Sequence, residues 1–110
     1  MRRPNISRSK GRGVSSQKST FSDDQFATYW LEKHAPLASK MPGLRKYVVN
    51  VVKRPPNREP DYNGVVELWF DDSASMKSAF ASPEGIATQE DTQAFTAGLT
   101  TMYIDEHTIL

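Results

Sequence analysis

Apolar positions recur at helical spacing between Phe26 and Met41: Phe26, Trp30, His34, Leu37 and Met41 fall on one face. The start of this helix is well marked. Ser22 and Gln25 form a capping box, Phe21 and Phe26 staple the entry, and Asp23 and Asp24 sit where the helix dipole favours acids. Pro36 must disturb the helix, because it offers no N–H to the Glu32 carbonyl and its ring crowds that oxygen. Pro42-Gly43 ends it.

Beyond it the pattern changes period. Leu44–Lys53, rich in Val and Tyr, predicts a strand, and Tyr62–Phe70 predicts a second. Between them lies a loop, since Arg54–Pro60 has three prolines that cannot donate to a sheet ladder. Asp71-Asp72-Ser73 caps a helix over about Ala74–Ala81, and Ser82-Pro83-Glu84 starts another with proline at its first position. Phe95 closes that helix's apolar face, Gly98 is the expected stop, and Thr100–Leu110 reads as a final strand. This is an α+β order that lacks one leading strand of a ferredoxin-like βαββαβ unit.

Composition explains what stands in that position. Residues 1–20 hold six Lys/Arg and no acid, whereas residues 21–110 hold eight Lys/Arg against thirteen Asp/Glu, so the formal +1 is a cancellation. The chain therefore divides into a basic tail over 1–20, expected to be disordered, and a folded domain over 21–110. The tail could hold a phosphate backbone weakly, but no aromatic is interleaved with its charges, so nucleic acid is an unlikely partner. With no cysteine there is no disulfide framework or thiolate metal site, and two histidines offer no metal-ligand spacing. The absence of a long apolar run or a secretory signal points to a soluble cytoplasmic domain off the membrane.

The run His34-Ala-Pro36-Leu37, then Met41-Pro-Gly-Leu-Arg45 and Tyr47-Val-Val-Asn50, resembles the EthD domain family of the dimeric α/β-barrel superfamily. Tyr29-Trp30-Leu31, Tyr62–Phe70 and Ala81-Ser-Pro-Glu-Gly85 agree with it, so the resemblance spans about residues 21–110. It implies a homodimer with two sheets packed face to face and a small-molecule cavity between sheet and helices in each protomer. Members of that family open with an apolar central strand. Here Gly13-Val14-Ser15-Ser16 is a poor substitute, so the first strand is expected to be weakly encoded or missing.

His34 is the foremost candidate for chemistry. It shares its face with Phe26 and Trp30, and an imidazole in such a place can exchange a proton with carbon beside a carbonyl. The plainer role is a hydrogen bond to the backbone carbonyl freed by Pro36. Asn50, between valines, could orient a carbonyl or oxyanion, or satisfy a strand edge. Glu67 shares a sheet face with Val65 and Trp69: a second acid–base group if that face is the cavity, a surface charge if it meets solvent. Tyr29, Trp30, Tyr47, Trp69 and Phe80 are core rings that could equally line a pocket for a flat hydrophobic substrate. No phosphate-cradling, flavin or nicotinamide fingerprint is present, so no cofactor is expected.

The reading these features favour is a small-molecule domain acting on a small hydrophobic carbonyl or phenolic compound in a catabolic or oxidative pathway. His34, Asn50 and Glu67 would be its catalytic groups. The reaction would be proton transfer of the isomerase or lyase type, or a cofactor-free oxidation. The alternative is an accessory protein that holds a hydrophobic metabolite for a partner oxygenase.

Overall fold

In a computed structural model of the chain, residues 9–110 are described. The elements follow the order β1 (Ser9–Gln17), α1 (Asp23–Tyr29), a π-helical turn (Trp30–His34), α2 (Ala35–Ala38), β2 (Lys46–Val51), β3 (Gly64–Phe70), α3 (Ser73–Ala81), α4 (Pro83–Phe95) and β4 (Thr96–Asp105). The four strands form one antiparallel sheet in the order β2-β3-β1-β4. This is the ferredoxin-like α+β arrangement.

The first strand corrects the reading of residues 1–20 as a disordered tail. Ser9–Gln17 is poorly encoded but present, at the centre of the sheet, paired with β3 on one side and β4 on the other. Residues 1–8 lie outside the described part. Apolar alternation fails here because the two faces of β1 have unusual tasks. Gly11, Gly13 and Ser15 lie on the helical face, where neighbouring strands crowd Gly13: a Cβ there would lie 3.0 Å from Leu99 and Val66 side-chain carbons. Lys10 and Arg12 point the other way, with Arg12 opposite Glu67 in the ladder, a favourable cross-strand pair of charges.

The first helix begins as the capping box requires. Gln25 N–H donates to Ser22 Oγ at 3.1 Å and Ser22 N–H donates to Gln25 Oε1 at 2.8 Å. Pro36 is accommodated by widening the helix before it. The Ala35 N–H reaches back five residues to the Trp30 carbonyl, giving the π turn over Trp30–His34. The insertion shifts the inward face: Ala38 is fully buried, whereas Leu37 is only half-buried.

Gly98 does not stop α4. The helix runs to Phe95 and passes directly into β4 at Thr96, whose hydroxyl donates to the Thr92 carbonyl at 2.7 Å. Met41 closes α2's end, and Gly43 makes the following turn with φ of 78°. The core lies on one face of the sheet in two clusters. Phe26, Trp30 and Phe95 join α1 to α4, while Ala38, Met41, Leu68, Phe70, Met76 and Ala79 pack at the other end; Val66 touches both. The Trp30 ring lies against Gly64 of β3, where a Cβ would come within 1.9 Å of it.

Candidate functional site

Between the helices and the sheet, where β1 contributes Gly11, Arg12 and Gly13 to the floor, there is a cavity of about 240 Å³. Its walls include Trp30, His34, Tyr47, Leu68 and Phe80, and it opens beside Leu99 and Tyr103 of the edge strand β4, both exposed. The volume suits a ligand of one or two small rings. Four of the residues singled out in the sequence meet here: His34, Trp30, Tyr47 and Phe80.

The π turn delivers His34 to this wall with only 6% of its surface exposed. Its ring lies 4.8 Å from that of Phe95. Its Nδ1 is 2.8 Å from Asp91 Oδ2, so a carboxylate on α4, rather than the carbonyl freed by Pro36, holds that nitrogen. Asp91 Oδ1 in turn accepts the Tyr29 hydroxyl at 2.8 Å. Tyr29, expected as a substrate contact, thus stands behind His34 and stacks on Phe95. The hydrogen bond to Asp91 leads the causes that raise the Tyr29 phenol above its ordinary range, with burial and the carboxylate's charge adding to it. Burial likewise raises the Tyr47 phenol, partly opposed by a hydrogen bond from Trp30.

Asp91 was not among the candidates read from the sequence. It lies in the polar run Gln89-Glu90-Asp91-Thr92 and 57 positions from His34. The available signal was its place in α4, three residues after buried Thr88 and four before buried Phe95. An acid on that inward stripe needs a partner.

Asn50, Glu67 and Trp69 are not brought to this cavity. The pleat of the sheet turns all three to the face that bears no helices. Asn50 is exposed and donates through Nδ2 to the Val65 carbonyl at 3.1 Å and to Glu67 Oε1 at 3.3 Å. Glu67 pairs with Lys10 Nζ at 2.6 Å, and Glu106 takes the same ammonium at 2.9 Å. Trp69 donates its indole N–H to Glu106 Oε1 at 2.8 Å and lies beneath both Lys10 and Lys46. The hydrogen bond from Lys10 holds the Glu67 carboxyl below its ordinary value, against its partial burial. Glu106 is lowered by Trp69 first and Lys10 second. For Lys10 itself, burial opposes the charge, but the two carboxylates together outweigh it and raise the ammonium.

A ferredoxin-like sheet with one helical face, a buried imidazole and a largely apolar cavity places the chain among the small ferredoxin-like α+β domains. Residues 18–98 match the model of the EthD domain, and the chain belongs to that family. It is 29% identical over 86 residues to an uncharacterized 11.0 kDa protein of the thcB–thcC intergenic region of Rhodococcus erythropolis, covering 77% of this chain and 84% of that one. An ethyl tert-butyl ether D family protein of Bacillus halodurans has the same fold, with a TM-score of 0.79 and 29% identity over 91% of this chain and 99% of the other. Two structures of low identity share the fold alone. One is a dimeric ferredoxin-like protein of Thermobifida fusca (TM-score 0.72, 12% identity, 93% of each chain). The other is a hydroxynitrile lyase of Passiflora edulis (TM-score 0.74, 11% identity, 94% of this chain and 97% of that one). Among the described residues no helix is long and apolar enough to cross a membrane.

Proposed function

We propose that this EthD domain acts on a small hydrophobic carbonyl or phenolic compound held in the cavity, with His34 moving a proton as acid–base. The observation that carries this reading is a buried imidazole set in the wall of a largely apolar cavity and backed by a carboxylate. An imidazole there can take a proton from carbon or oxygen and return it without a cofactor, while Trp30, Tyr47 and Phe80 exclude water and orient a ring. The fold is shared with a hydroxynitrile lyase of Passiflora edulis, which supports an enzymatic role for such a scaffold. Asn50, Glu67 and Trp69 take no part in this step; they belong to the opposite face.

The working form would be a homodimer closed through that opposite face. It is a half-covered sheet surface with a buried Lys10 and Trp69, and a second copy supplies the layer a single sheet lacks. The dimeric Thermobifida protein supports this assembly.

The test is a turnover screen over small phenols and enolisable carbonyl compounds, wild type against His34→Ala, with the melting temperature and solution mass of both. Loss of turnover by about a hundredfold or more in a folded dimer is expected. Undiminished turnover in His34→Ala would sink the reading.

A further inference from the structure

We infer that Asp91 is the positioning residue of this site: with Tyr29 it fixes His34 as the Nδ1–H tautomer, so that the nitrogen presented to the cavity is Nε2 with a free lone pair. The inference rests on the reading of His34 as the acid–base group and adds to it which nitrogen works and which kind of ligand it can meet.

The argument starts with the two oxygens of Asp91. Each is committed at 2.8 Å, Oδ1 to the Tyr29 hydroxyl and Oδ2 to His34 Nδ1. An ionised carboxylate only accepts, so the proton on a neutral imidazole must sit on Nδ1. The Tyr29 hydroxyl has the carboxylate as its acceptor and so restrains the plane of the Asp91 side chain, and through it the His34 ring. Asp91 comes from α4, Tyr29 from α1 and His34 from the π turn, so three elements converge on one imidazole. Phe95, four residues beyond Asp91 on the same helix, packs on both the Tyr29 and the His34 rings and closes the arrangement from below.

The tautomer has a chemical consequence. Free histidine side chains favour the proton on Nε2, the opposite choice, which would present a donor to the ligand. With Nδ1–H held outward, the cavity offers a proton acceptor at the imidazole. The ligand it selects is therefore a neutral molecule that brings its own acidic proton, a phenol or a carbon acid beside a carbonyl. A molecule of the same shape without that proton leaves Nε2 unpaired.

The test needs no substrate. Nitrogen–proton correlation spectra of the full chain at pH 8, with His34→Gln used to separate the signals of His34 from those of His107, report directly which ring nitrogen carries the proton. The expected result is a pyridine-type Nε2 and a protonated Nδ1 in the wild type. In Asp91→Ala the tautomer ratio should fall by about tenfold or more toward the free-histidine preference, the factor a hydrogen bond to a charged group supplies. A wild-type His34 with the proton on Nε2 overturns the proposal, as does an unchanged ratio in folded Asp91→Ala. Because no turnover enters, the tautomer stands or falls separately from the catalytic role of His34.

Discussion

The two faces of the sheet use the same strands for opposite purposes. On the helical face, β1 and β3 present Gly11, Gly13, Val66 and Leu68, and the space left over the glycines becomes the cavity beside His34. On the other face the same strands present Lys10, Arg12, Glu67 and Trp69: Lys10 pairs with Glu67 and lies over the Trp69 ring, whose indole N–H donates to Glu106. One face is built around a gap and the other around paired charges. Candidate residues one position apart along a strand are thus a full sheet thickness apart in role. His34 and Glu67, both plausible acid–base groups by type, cannot share a substrate.

The sharpest break falls on the helical face. Gly64→Ala would drive a methyl group into the Trp30 ring, and we expect a loss of about 3 kcal/mol in urea unfolding, at the upper end of overpacking effects. Lys10→Met attacks the other face by leaving Glu67 and Glu106 without their shared cation. Since both acids are partly exposed, we expect a smaller loss of about 2 kcal/mol, with His34-dependent turnover retained.

Acid should separate the faces as well. Glu67 and Glu106 lie below their ordinary value of 4.5 in the folded chain, so their contribution is complete above that value and is lost as pH falls through the lowered folded values. Melting temperatures from pH 6 to pH 3 should therefore fall less steeply in Glu67→Gln than in wild type. The smallest effect belongs to Asn50→Ala, an exposed side chain: within about 0.5 kcal/mol of wild type and no change in turnover. A turnover loss there would erase the distinction between the faces.

The same contrast explains what could be read from the sequence. The first helix was legible because Ser22, Gln25, Phe21 and Phe26 are local signals that act within one turn. The loop over Arg54–Pro60 was legible because proline acts alone. β1 was not, since its residues answer to partners far along the chain: Arg12 to Glu67, Gly13 to Leu99, Lys10 to Glu106. Its alternation is one of size and charge rather than hydropathy. His34 could be singled out from its helical face, but Asp91 could not, because a carboxylate in a polar helical run becomes notable only beside an imidazole 57 residues away.

Pro36 gives the π turn a meaning beyond accommodation. A helix advances about 100° per residue, so one residue of surplus decides which way everything near it looks. The proline, itself exposed, holds that surplus in place, because an unbroken α-helix through it would set its ring against the Glu32 carbonyl. The aim of His34 is thus stored in a residue that lines no part of the cavity. Anyone redesigning this site has a remote dial in Pro36→Ala, which permits the helix to close up and turn the imidazole away while every wall of the cavity keeps its own residue.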